Sequence, residues 1–166
     1  MTGNFKNNLL SSSVVVPPTN TPTAILDSGA TGTFVTHHHI PYLCQPTTIL
    51  HGPTVLSASG TPMRSQLKGT LPLSSLLSFE AQSAYVLDDL KTGTLISLAQ
   101  LCDDDCIAIF TKYDVSILKK DEIIITGQRL SNGLWSIPIM TSSTPHHQAN
   151  GILRLDKPRQ ELAQNS

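Results

Sequence analysis

Charge is scarce in this chain. Only 14% of its 166 residues are Asp, Glu, Lys or Arg, against about 25% in an average soluble domain. The formal net charge is −1 and the isoelectric point is near 6.6, which argues against a nucleic-acid surface spread over the chain. Long apolar runs are missing too. None exceeds five residues, far short of the ~20 that span a bilayer, and the N-terminal stretch has no apolar core of the secretory-signal type. Three cysteines, Cys44, Cys102 and Cys106, make an odd count without the CxxC spacing of a zinc site. These absences exclude a membrane-spanning helix, a disulfide-knotted secreted domain and a coiled coil. They predict a reduced, cytoplasmic chain with small buried thiols and no membrane or direct nucleic-acid partner.

Hydroxyls stand where charges would. Serine and threonine number 18 each, with 11 prolines and ten glycines, a profile of short strands and turns. Strands are expected at 23–26, 33–36, 55–56, 63–67, 69–73, 84–87 and 95–96. No proline falls between Pro72 and Pro138, so the longer elements are expected there. Ser97 is placed to cap a short helix over 97–102. Further strands are expected at 106–111, 115–118, 122–126 and 134–139, the last after an Asn132-Gly133 turn. Residues 1–21 read as a flexible leader, and 141–166 as a polar tail with a helix-prone end at 152–164.

The placement of acid is uneven. Residues 1–79 contain one carboxylate, Asp27, and the other eleven lie beyond it. Asp27 directly follows the apolar run Ala24-Ile25-Leu26. A lone carboxylate at the end of an apolar strand costs several kcal/mol to bury, roughly, unless it is paired, hydrogen-bonded or protonated. Two readings are open. Asp-Ser-Gly is ordinary turn chemistry, with the Asp side chain capping its own loop. It is also a catalytic arrangement.

The segment Ala24-Ile25-Leu26-Asp27-Ser28-Gly29-Ala30-Thr31 resembles the active-site segment of retropepsin-type aspartic proteases, and in particular the protease of copia-type LTR retrotransposon polyproteins. Two later blocks follow in the family's order. Gly93-Thr94-Leu95-Ile96-Ser97-Leu98-Ala99-Gln100-Leu101-Cys102, after the strand Tyr85-Val86-Leu87, is similar to its Asn-Leu-Leu-Ser-x-x-Gln-Leu segment. Gly133-Leu134-Trp135-Ser136-Ile137-Pro138 is similar to the Gly-Leu-Trp/Tyr strand before the integrase zinc region. The resemblance covers residues 22–140 or so. It departs from the wider family at Ser97, where many retropepsins have Gly, and at Thr94, where the copia-type pattern has Asn.

The resemblance implies a mainly β, closed retropepsin-like fold with a flap hairpin and one short α-helix, followed by a small β extension. The protease would occupy 22–112 and the pre-integrase-like extension 113–140. Asp27 would be the catalytic carboxylate, acting without a cofactor or metal. Ser28 would lock two such loops together, Gly29 and Ala30 would keep the approach to the water clear, and Thr31 would buttress the loop. The turn Ser57-Ala58-Ser59-Gly60-Thr61-Pro62 sits where a flap would close over a peptide. One Asp-Ser-Gly loop supplies one carboxylate, so a homodimer is implied. Its substrate would be its own polyprotein, in a virus-like particle if the element is active. Residues 156–164 resemble the lead-in to the integrase zinc region, and the sequence ends before its ligand set, as expected of a fragment.

Other clusters have plainer readings. His37-His38-His39 invites a metal site, but a polar loop accounts for it. Asp103-Asp104-Asp105 reads as a solvated turn ending the helix, and Trp135 as a core or dimer-contact aromatic. Two alternative functions also stay open: a catalytically silent retroelement fragment serving as an interaction module, and an unrelated β-rich binding domain in which Asp27 only caps a turn.

Overall fold

The structure is a computed structural model that describes residues 20–140. Nearly all of the expected leader, and the expected tail with its helix-prone end, lie outside the described residues. The chain is mainly β. The strands are β1 (Thr23–Asp27), β2 (Thr33–Val35), β3 (Cys44–Thr48), β4 (Thr54–Leu56), β5 (Pro62–Arg64), β6 (Leu67–Thr70), β7 (Ser83–Val86), β8 (Leu95–Ser97), β9 (Cys106–Phe110), β10 (Asp114–Lys119), β11 (Glu122–Arg129) and β12 (Trp135–Pro138). One short helix, α1 (Leu98–Asp103), lies between β8 and β9. No helix among the described residues is long and apolar enough to cross a membrane.

Alternation makes the strands. In β1, Ala24 and Leu26 point inward while Thr23 is exposed and Ile25 and Asp27 are half-buried. In β10, Val115 and Ile117 point inward on either side of the half-buried Ser116. That period of two places one apolar face on the core. The core gathers Val35, Leu71, Ile96, Leu101, Ile117 and Ile137, all fully buried. Each contributes about 1.5–3 kcal/mol relative to exposure.

Ten strands form one sheet in the order β3-β6-β7-β2-β8-β1-β12-β11-β10-β9. Two features of this order matter for function. First, β8 inserts between β1 and β2, which are neighbours in sequence, running parallel to β1 and antiparallel to β2. Second, β12 pairs antiparallel with β1, Ala24 opposite Ile137. Residues 113–140, set apart in the sequence as an extension, are thereby hydrogen-bonded into the same sheet as Asp27. The sheet rolls strongly, so that Phe110 on β9 meets Trp135 on β12 with ring centroids 5.1 Å apart, although two strands lie between them. It does not close on itself as the resemblance implied. Among the described residues no strand joins β3 to β9, and β3 ends the sheet as a mostly exposed strand with an irregular register.

Several local expectations are corrected. The 63–67 strand is divided between two sheets: Pro62–Arg64 pair with β4 as β5 in a separate hairpin, and Leu67 opens β6 in the ten-stranded sheet. The strand expected at 69–73 stops at Thr70, two residues before Pro72. The histidine run forms a 3₁₀ turn, His37–Tyr42, rather than a loop. Cys102 is exposed on α1, while Cys106 is buried and Cys44 half-buried. Asp104 is not a solvated turn residue. Its carboxylate accepts from Lys119 Nζ at 2.6 Å and from the Ser78 amide at 3.0 Å, tying the end of α1 to β10. Burial pushes its pKa up, but these hydrogen bonds and the Lys119 charge outweigh that and hold it below the usual carboxylate value.

The sign of the Asp104 effect is fixed by that depression. Its stabilisation is complete above the unfolded carboxylate value, about pH 4, and disappears as pH falls through the lower folded value. Asp104→Asn should therefore lower the melting temperature at neutral pH, with the gap to wild type closing in strong acid. A second prediction concerns the roll. A Cβ at Gly127 would lie 2.1 Å from Ser136 O and 2.8 Å from Ile137 Cγ2. Gly127→Ala should destabilise the fold by ~2 kcal/mol or more, read by denaturant titration.

Candidate active site

Asp27 is the last residue of β1, and the chain turns over residues 28–32 into β2. Asp27 Oδ1 accepts from the Gly29 amide at 2.8 Å, the self-capped turn that Asp-Ser-Gly chemistry allows. A side chain at position 29 would put its Cβ 3.3 Å from that same oxygen, so Gly29 keeps the carboxylate uncrowded. Ser28 and Gly29 are exposed and Asp27 is half-buried. Ala30 is held from below, its carbonyl accepting from Ser97 Oγ at 2.7 Å. Thr31 is exposed and faces a separate depression shared with Glu80 and Gln100, away from the carboxylate.

The support comes from about seventy residues further along the chain. Ile25, Leu26 and Asp27 lie opposite Leu95, Ile96 and Ser97 in register. Ser97 does three things: its hydroxyl holds Ala30, its amide donates to Thr33 Oγ1 at 3.2 Å, and its oxygen accepts from the Gln100 amide as the cap of α1. Gln100 then reaches back. Its Oε1 accepts from the Thr33 amide at 2.7 Å, and its Nε2 donates to the carbonyls of Glu80 and Ser83. Thr94 Oγ1 accepts from the Thr36 amide and bonds His39 Nδ1 at 2.8 Å. Burial, with the His38 charge adding to it, lowers the pKa of His39.

Beside Asp27 opens a cleft of about 550 Å³. Its apolar lining comes from Ile25, Leu95 and Leu98 together with Phe110, Leu134 and Trp135. Among the described residues, Asp27 is the one charged residue lining it. The hairpin β4–β5 is a sheet of its own, with Leu56 opposite Pro62. Its tip is closed by Ser57 N–Thr61 O and Gly60 N–Ser57 O bonds, and Gly60 sits at φ +80°. Hydroxyls of Ser57, Ser59 and Thr61 bond one another across it, and Ala58 is exposed. No residue from 57 to 62 lines the Asp27 cleft.

So the structure brings Asp27, Ser28 and Gly29 together with Ser97, and leaves Thr31 and the hairpin tip apart from them. Sequence reasoning assigned Ser97 to the cap alone and gave Thr33, Thr94 and Gln100 no role. The Ser-x-x-Gln spacing was the available signal, since it is a capping-box pattern. In the fold the Gln side chain serves Thr33 rather than the cap. The histidines hold no common ligand: His37 faces Asp88 at 3.3 Å and His39 faces Thr94. No group of three metal-binding side chains exists among the described residues. No family model, curated protein or solved structure matches the chain.

Ser97→Ala removes the bond to Ala30 and the helix cap together. It should cost ~1–3 kcal/mol, and raise amide exchange at residues 28–33 more than in β10 and β11, as read by hydrogen-exchange mass spectrometry.

Proposed function

We propose that this chain is an aspartic endopeptidase of the retropepsin type, from a copia-type polyprotein, working as a homodimer with one Asp27 per chain. The observation that carries the reading is the pairing of Ile25-Leu26-Asp27 with Leu95-Ile96-Ser97. These belong to two of the three blocks on which the sequence resemblance rests, and a capped turn alone gives no reason for a distant strand to be bonded beside it. An open apolar cleft with a single carboxylate at its edge adds support.

The chemistry needs two carboxylates. Close together they cannot both ionise, so the pair holds one proton. The ionised member takes a proton from the water between them, and the oxygen attacks the peptide carbonyl carbon. The protonated member gives its proton to the carbonyl oxygen. When the tetrahedral intermediate collapses, the C–N bond breaks, the leaving nitrogen takes a proton from the pair, and a hydroxyl on the former carbonyl carbon returns one to it as the C=O bond re-forms.

The second carboxylate must come from another copy, and β9 offers the contact. It ends the sheet, is uncharged along Cys106-Ile107-Ala108-Ile109-Phe110, and exposes Ile107 and Ile109 at 61% and 49%. Such an edge invites another strand. Antiparallel pairing about Ala108 sets the Asp103-Asp104-Asp105 run of each copy against Lys112 of the other, whereas parallel pairing sets acid against acid. Phe110 belongs both to this edge and to the Asp27 cleft.

Cleavage of an unfolded protein substrate tests the reading. Activity per chain should rise with chain concentration and follow a bell-shaped pH profile, falling in acid when both carboxylates are protonated and at higher pH when both ionise. Asp27→Asn should abolish it with the fold intact, and Ile109→Lys should push its onset to higher concentration. Asp27→Asn cleaving as well as wild type would rule the mechanism out.

A further inference from the structure

Trp135 belongs to the segment that the sequence sets apart from the protease, yet it lines the cleft at Asp27. Its ring is fixed on two sides. The Arg129 guanidinium lies 4.8 Å from the ring centroid, and Phe110 meets it in a T-shaped contact at 5.1 Å. Leu134, 46% exposed, extends the same wall. We propose that Phe110, Leu134 and Trp135 form the recognition wall for a large apolar or aromatic side chain of the peptide bound at Asp27, so that residues after α1 set specificity. As a specificity site this rests on the reading of Asp27 as the reacting carboxylate. The pocket itself is a separate claim.

Three observations select the occupant. The size, about 550 Å³, falls in the range of ligand-holding clefts and exceeds the needs of one small side chain. The walls are aliphatic and aromatic, so transfer of an apolar side chain from water drives binding. The electrostatics disfavour the charged alternatives. An acidic side chain would lie beside Asp27, and a cation seeking the Trp135 face would meet Arg129 already near it.

Trp135 is the single tryptophan in the sequence, and its fluorescence therefore reports this wall directly. The test uses the full-length Asp27→Asn chain, which binds without consuming peptide, and blocked hexapeptides that differ only in a central Phe, Ala, Lys or Glu. The Phe peptide should give a saturable change in Trp135 emission with an affinity at least tenfold above the Ala peptide, and above Lys and Glu. Leu134→Ser, at an exposed position, should reduce the Phe-over-Ala ratio several-fold while leaving the melting temperature near that of the parent. No saturable change, equal response to all four, preference for Lys, or an unchanged ratio in Leu134→Ser would each overturn the proposal. Cleavage by the wild-type chain is scored separately. Phe-selective binding without cleavage sinks the catalytic reading and keeps the pocket, whereas Asp27-dependent cleavage without Phe selectivity does the reverse.

Discussion

Parallel strands need a long crossover, and the pairing of β1 with β8 closes one of nearly seventy residues to lay Ser97 beside Asp27. The Asp27 loop depends on that closure. Its carbonyl at Ala30 and the start of β2 at Thr33 are both held by β8 and α1, through Ser97 and Gln100. The bonds that hold it are hydroxyl and amide bonds rather than ion pairs. This is where part of the chain's wealth of serine and threonine becomes structure. Thr33, Thr94, Ser97 and Ser136 are buried, and the first three satisfy backbone groups that would otherwise be left bare. A neutral frame of this kind leaves Asp27 as the only charge among the described residues lining its cleft.

Legibility in the sequence followed the range of the interaction. Elements made by local pattern were readable: the alternation of β1 and β10, the Ser97 cap of α1, the hairpin around Gly60. Gly60 adopts φ +80° with open space around it, a local requirement that its residue type announces. What depended on distant contacts was not readable. Nothing near Asp104 in sequence foretells Lys119, and the solvated turn expected there is instead a tie between α1 and β10. Thr31 sits one residue from the loop's anchored carbonyl but turns outward, because the chain direction after Ala30 is fixed by Ser97. Pairing of β12 with β1 joins residues more than a hundred positions apart, and no periodicity encodes it.

That last pairing changes how the chain divides. The resemblance separates a protease from an extension near residue 112. The sheet runs through that point, and the rolled strands after it return Trp135 to the edge of the Asp27 cleft. Gly127 permits the return by admitting the Ser136 carbonyl where a side chain would stand. On the proposed reading, the later strands then have two duties: they leave β9 exposed as an edge for a second copy, and they wall the cleft that the peptide enters.

One carboxylate per chain is the central claim, and subunit mixing tests it most directly. Wild-type chain is held at fixed concentration, above the level needed for dimerisation, while Asp27→Asn chain is added. If each active site is assembled from two copies, an equal mixture lowers activity per wild-type chain to about half, and further addition lowers it towards zero. Activity per wild-type chain that stays constant at every ratio would show that one chain carries the whole site, and would contradict a catalytic pair shared between two copies.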